Sequence, residues 1–224
     1  MSHYEIEIKS LLGTKDKAED LVSRMLDIDP DIKIVGENCQ LNHYFIGGDI
    51  HELYKKVEYL FSGAELDKFK MIADKGKDFS IRTRQKDEEV LLVIKASLDG
   101  GTSSNTVSRM EFEESVAITF DELDRLVESA GYTYEAKWSR ERVEYAYKDI
   151  NVCLDKNAGY GYLAEFEVVT SNEDELPQVK EKLLSLMKEL EVEELPQDRL
   201  ARMFAYYNEH WPEYYGTDKT FTVE

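Results

Sequence analysis

The chain has 224 residues, 42% hydrophobic and 33% charged, with 28 Lys and Arg against 47 Asp and Glu and a formal net charge of −19. That length allows one large globular domain with a full core, residues 1–224, or at a stretch two small ones, and the composition excludes a disordered chain. A surface this acidic repels nucleic acid and anionic membranes, so neither is an expected partner, although a basic cluster in a shielded cavity can still hold a small anion.

The opening MSHYEIEIKS has neither the basic start nor the apolar run of a signal peptide. No apolar stretch approaches the ~20 residues of a membrane span. Cys39 and Cys153 are too few for a disulfide framework, and neither sits in a CxxC. The cytoplasm, where thiols stay reduced, is the expected location.

In chain order, alternation predicts a first strand at Tyr4 to Lys9. A helix on Ala18, Leu21, Val22, Met25 and Leu26 follows, with Thr14 as its cap, and then a strand over Cys39 to Ile46. Residues 49–78 read as an insertion, helical near Ile50 to Phe61 and a loop thereafter. Strands follow at Ser80 to Arg84 and Leu91 to Lys95, then a Gly-rich hairpin connection at Asp99 to Asn105 and a strand at Arg109 to Glu113. Thr119-Phe120-Asp121-Glu122 is a capping-box pattern that opens a helix through Leu123, Leu126, Val127 and Ala130, ended by Gly131. Strands at Arg140 to Val143, Ile150 to Asp155 and Leu163 to Val168 bring the total to eight. Two more helices, about 176–190 and 198–210, precede a tail after Trp211 expected to be loosely held.

Sorted by face, each strand has an apolar side (Tyr4/Ile6/Ile8, Ile81/Thr83, Met110/Phe112, Ile150/Val152/Leu154, Ala164/Phe166/Val168) and a side dominated by Glu and Arg. A half-buried sheet with its polar face in water gives the same alternation. A closed sheet with charge inside and amphipathic helices outside also satisfies it, and supplies the apolar surface that four helices need. Such an interior needs partners for its charges.

The motifs resemble those of the CYTH family, the triphosphate tunnel metalloenzymes. Glu5-Ile6-Glu7-Ile8-Lys9 is similar to the family's ExExK signature, Arg82-Thr83-Arg84 to its RxR, and Lys95 closes the fourth strand as expected. Arg109-Met110-Glu111-Phe112-Glu113 resembles RxExE, and Lys137, Arg140 and Arg142 resemble the basic sixth strand. Leu154-Asp155, Gly159, Gly161 and Glu165-Phe166-Glu167 resemble the LDxxxGxG…ExE ending. Asn42-His43-Tyr44-Phe45-Ile46 departs from the usual DxYFD by lacking both acids, and the 49–78 insertion is longer than the usual connection.

The resemblance implies an α+β fold: a closed eight-stranded antiparallel β-barrel, or tunnel, with helices packed outside. It implies metal-dependent hydrolysis of inorganic triphosphate or a small organic triphosphate such as thiamine triphosphate. The alternative is a class IV adenylate cyclase that converts ATP to cyclic AMP and diphosphate. A degenerate polyphosphate-binding module is a third reading, opposed by the completeness of the charged set. The expected ligand is thus a small triphosphate or nucleotide, bound by a monomer or homodimer.

Glu5 and Glu7 lie about 6.5–7 Å apart on one strand face, and Glu165 and Glu167 repeat that spacing. Carboxylates suit Mg²⁺ or Mn²⁺, one or two ions, as hard cations that prefer oxygen. The implied metal set is Glu5, Glu7, Glu111, Glu113, Asp155, Glu165 and Glu167. The implied phosphate set is Lys9, Arg82, Arg84, Lys95, Arg109, Arg140 and Arg142, whose guanidinium forks fit phosphate oxygens. Lys9 and Lys95 are expected to stabilise leaving-group charge, and Glu113 or Asp155 to help position the attacking water, in an in-line displacement. Lys137 has the opposite parity to Arg140 and faces the same side only if a bulge intervenes. Arg199 and Arg202 on the last helix read as surface residues or as a cap on the tunnel mouth. His3, His43, His51 and His210 lack ligand spacing and read as structural or exposed.

Overall fold

A computed structural model describes residues 4–97, 109–170, 172 and 175–223. The side chains of Glu5 and Arg109, the 99–105 hairpin connection and His3 lie outside this description. The elements are β1 (Tyr4–Gly13), α1 (Lys15–Ile28), β2 (Lys33–Gly47), α2 (Ile50–Val57), a 3₁₀ turn (Glu58–Leu60), α3 (Gly63–Lys75) and β3 (Lys77–Lys86). There follow β4 (Glu89–Ser97), β5 (Arg109–Ser115), α4 (Phe120–Ser129), β6 (Tyr132–Tyr147), β7 (Ile150–Asn157), β8 (Gly161–Thr170), α5 (Leu176–Glu189) and α6 (Gln197–Tyr214). No helix among the described residues is long and apolar enough to cross a membrane.

The eight strands form one sheet in the order β1-β8-β7-β6-β2-β3-β4-β5. The β1–β8, β7–β8, β6–β7, β2–β3, β3–β4 and β4–β5 pairings are antiparallel. The expected closure into a barrel is not made among the described residues, because β1 and β5 end the strand order. Alternation dictates which residues share a face but carries no information on whether two edges meet. At the β1 edge, the Leu195 N–H donates to the Lys9 carbonyl at 2.7 Å, which satisfies one edge acceptor.

The chain folds as two compact units, with β2 and β6 contributing to both and dividing at Asn38/Cys39 and Trp138/Ser139. The first holds β1, α1, β7, β8, α5 and α6. Its core packs Ile6, Ile8, Val152, Ala164 and Phe166 of the sheet against Leu21 and Met25 of α1 and Leu183 and Met187 of α5. The second holds α2, α3, β3, β4, β5 and α4, and buries Phe45, Ile81, Leu92, Ile94 and Phe112 under Leu53, Phe69, Ile72, Leu123 and Val127. In each unit the apolar strand faces meet the helices, as the alternation predicts.

Several boundaries follow from capping. The Thr14 hydroxyl accepts from the Lys17 N–H, and Thr119 and Glu122 form the expected reciprocal box. The expected loop after Phe61 is instead α3, whose start is a second capping box, Ser62 with Glu65. The apolar positions Phe69, Ile72 and Ala73 make its buried face. The tail expected to be loose is docked: Thr220 bridges Gly159, and Phe221 packs among Tyr206, Tyr214 and Tyr160 with ring centroids 4.7–6.4 Å apart. Aromatic burial of this kind outweighs the ordering entropy of a few residues.

Gly159 and Gly161 bound the β7–β8 turn with φ of +92° and +75°. A Cβ on Gly161 would lie 2.2 Å from the Gly13 carbonyl oxygen, and one on Gly159 would lie 2.6 Å from the Tyr207 ring. The GxG element thus lets β1 and α6 approach the turn closely. Replacing either glycine with alanine is expected to lower stability by about 2–4 kcal/mol, from backbone strain plus overpacking. Urea unfolding measures the loss, and a wild-type midpoint in both variants would contradict this role.

Candidate functional site

In the first unit, strand parity places Lys9, Glu7, Glu165, Glu167, Arg140, Arg142 and Asp155 on the sheet face away from its helices. Asp155 is fully buried and accepts from Arg142 Nε and Nη2, both at 2.6 Å, and from Arg140 Nη1 at 2.8 Å. These bonds occupy most of the carboxylate's roughly four lone-pair sites. Arg142 Nη2 also reaches Glu165 Oε2 at 2.5 Å, and Lys9 Nζ donates to Glu165 Oε1 at 2.8 Å while pairing with Glu7. The result is a chain of alternating charge: Arg140, Asp155, Arg142, Glu165, Lys9, Glu7.

The electrostatics follow from that alternation. Burial pushes the Glu165 carboxyl up, but Lys9, Arg142 and Arg140 outweigh it and hold the group well below its ordinary value of 4.5. Arg142 is more firmly protonated than an ordinary arginine: burial opposes the charge, and Asp155 and Glu165 overcome it. Cys153, on the same face between Glu144 and Glu165 in register, is buried, and burial pushes its thiol up to about 12. Cys39 is an exposed free thiol.

The second unit carries its own charged set. Arg84 donates through Nε to the Asn42 side-chain oxygen at 2.7 Å and through Nη1 to Glu113 Oε1 at 2.6 Å. Lys95 pairs with Glu111 at 2.9 Å, its cross-strand partner. The Arg82 guanidinium lies 4.6 Å from the Tyr44 ring centroid, a cation–π contact, and Tyr44 lies 6.0 Å from Trp138. The departure at Asn42 therefore replaces an acid with a neutral acceptor that still orients Arg84.

Of the expected metal ligands, Glu111, Glu113, Asp155 and Glu165 are each bound to a lysine or arginine. Glu7 and Glu167 are direct cross-strand partners on β1 and β8, with Glu165 two residues along β8. Among the described residues, no three His, Cys, Asp or Glu side chains converge as metal ligands. The donor chemistry nevertheless fits a hard divalent cation. Glu7 already pairs with Lys9, and Mg²⁺ commonly uses one or two carboxylates plus waters, so the Glu7–Glu167 pair supplies ligands of the right type.

Other candidates fall outside both sets. Lys137 Nζ lies 4.0 Å from the Tyr134 ring centroid. Arg199 Nε donates to the Val223 carbonyl and Arg202 pairs with Asp198, so both make local contacts at α6. Sequence reasoning missed Asp124, which is buried and accepts from His43, Thr83 and Tyr134. The signal was present: Phe120, Leu123, Asp124 and Val127 form the i, i+3, i+4, i+7 stripe of α4, so an acid occupies a core-facing position.

Because the folded-state pKa of Glu165 is depressed, its contribution is complete above its ordinary value and is lost as pH falls through the depressed one. Urea midpoints should therefore fall progressively below pH 4.5, and Glu165→Gln should flatten that acid limb. Asp155→Ala, which removes the buried anion that Arg140 and Arg142 share, should cost about 3 kcal/mol at neutral pH. An unchanged acid limb in Glu165→Gln would refute the assignment.

The chain matches the model of the CYTH domain over residues 72–199, from within α3 to the start of α6. No curated protein sequence matches it. Solved structures share its fold at low identity. The PH1819 protein of Pyrococcus horikoshii superposes with a TM-score of 0.59 and 19% identity, covering 91% of this chain and 99% of that one. A candidate adenylate cyclase of Vibrio parahaemolyticus gives 0.58 and 16%, covering 92% and 99%. HpAC1 of Hippeastrum gives 0.53 and 17%, covering 91% and 96%. With more than half of its length matched, including the RxR, RxExE and C-terminal ExE strands, the chain belongs to the CYTH domain family.

Proposed function

We propose that this protein is a cytoplasmic enzyme that hydrolyses a triphosphate, inorganic or small organic, with the help of a divalent cation. The observation that carries the reading is the concentration of cations on the strand faces of a chain whose net charge is −19. Arg140, Arg142 and Lys9 in one unit, and Arg82, Arg84 and Lys95 in the other, are each held by carboxylates or aromatic rings. Pre-oriented guanidinium and ammonium groups of this kind suit a polyanion carrying about four charges.

Each residue then has a role. Arg82, Arg84, Arg109, Arg140 and Arg142 bind phosphate oxygens, with Asp155 orienting Arg140 and Arg142 and Asn42 orienting Arg84. Lys9 and Lys95 stabilise the charge that moves to the leaving group. Glu113 positions the attacking water. Glu7 and Glu167, with Glu5 and Glu165 beside them, would hold Mg²⁺ or Mn²⁺, and Glu111 would assist. When bound, such an ion polarises a phosphoryl oxygen and offsets its negative charge.

Two relatives in fold support a triphosphate as the ligand. HpAC1 is described as having a dominant triphosphatase activity, and the Vibrio protein as a candidate adenylate cyclase. Hydrolysis needs only the polyanion and a water, whereas cyclisation also needs a placed ribose hydroxyl.

Incubation with Mg²⁺ or Mn²⁺ and, separately, inorganic triphosphate, thiamine triphosphate and ATP should release orthophosphate. Cyclic AMP with diphosphate would assign the cyclase reaction instead. Glu7→Gln and Arg84→Ala should each lower turnover by about 100-fold or more. Full activity in both would reject the assignment.

A further inference from the structure

Within the second unit, one buried carboxylate ties three strands to a helix. Asp124 of α4 accepts from His43 Nδ1 of β2 at 2.7 Å, Thr83 Oγ1 of β3 at 2.6 Å and Tyr134 Oη of β6 at 2.7 Å. An ionised carboxylate only accepts, so the bond from His43 is donated by Nδ1–H. Burial pushes the Asp124 carboxyl up, but the bonds from His43 and Thr83, with smaller help from Tyr134, hold it below its ordinary value. Three donors on a desolvated anion make a rigid junction.

The residues it holds are not arbitrary. His43 and Thr83 are direct cross-strand partners. Because successive strand residues point to opposite faces, their chain neighbours Asn42 and Arg84, and Tyr44 and Arg82, are cross-strand partners on the other face. Those neighbouring pairs are the ones in contact: Arg84 with Asn42, and Arg82 with the Tyr44 ring. We propose that Asp124 is a positioning residue that, through its bonds to His43 and Thr83, fixes β2 against β3 and so aims Arg82 and Arg84 at a bound phosphate chain.

This inference rests on the triphosphate reading of Arg82 and Arg84, and binding measurements without turnover separate the two. Titration calorimetry with inorganic triphosphate and no metal is compared across wild type, Thr83→Val, Asp124→Asn, Tyr134→Phe and Val127→Ala. Thr83→Val keeps side-chain shape and removes one donor. It should weaken binding by about tenfold, in the range seen for outer-shell partners. Asp124→Asn should weaken it further, and Thr83→Ser should restore it. Val127→Ala opens a cavity in the same helix without touching the carboxylate, and serves as the control for lost stability. It should lower the unfolding midpoint and leave affinity unchanged.

If Asp124→Asn does not fold, the comparison of Thr83→Val, Thr83→Ser and Tyr134→Phe carries the test. Affinity that follows the unfolding midpoint across all variants, Val127→Ala included, would overturn the positioning role and leave the triphosphate reading intact. No binding of triphosphate by the wild type, either without metal or with Mg²⁺ added, would overturn both.

Discussion

A guanidinium held at 13% exposure between two carboxylates is the interaction on which the first unit depends. Arg142 is expensive to desolvate, and only the simultaneous presence of Asp155 and Glu165 makes its burial tolerable. Each of those acids needs a second cation in turn, supplied by Arg140 and Lys9. The ladder joins β1, β6, β7 and β8 on one face, while Ile6, Ile8, Val152 and Phe166 meet α1 and α5 on the other. The sheet's two faces thus obey different rules. Area burial governs one, and charge alternation governs the other.

The second unit solves the same problem with fewer buried charges. Arg82 rests on an aromatic ring and Arg84 on a neutral amide and a half-exposed acid. Its buried anion lies on the helix-facing side instead, where Asp124 collects three donors. Polar residues at apolar-face positions, His43 and Thr83 among them, are therefore paired with an acid at an apolar-face position of α4. A core that contained only one of these groups would leave it unsatisfied at substantial cost.

The glycine pair at the β7–β8 turn shows how a motif that looks functional can be architectural. Gly159 and Gly161 are required by the approach of Tyr207 and of the Gly13 carbonyl. Their effect on the charged face is indirect: they hold β1 against β8, which keeps Lys9 beside Glu165. The docked tail contributes at the same place, through the Thr220 bridge and the Phe221 ring.

Much of the architecture was legible in the sequence, because period-two and period-3.6 patterns report directly which residues leave water. The eight strands, the Thr14 and Thr119 caps, and the apolar and charged faces of most strands appear there, β4 being apolar on both faces at Leu91 to Ile94. The α3 helix is hard to read there because its apolar stripe is short, and the tail because aromatic docking is a contact between distant residues. The candidate residues were legible as types and parities, but their pairings were not. Nothing in Asp155, Arg142 or Glu165 as letters says that one guanidinium bridges both acids, or that Glu7 stands opposite Glu167. Asp124 was visible only as an acid out of place on a helix stripe. Alternation by itself determined which face each side chain takes. Only the tertiary structure, by setting strand order and register, decided which charges meet across that face, since register is a relation between segments that no single segment encodes.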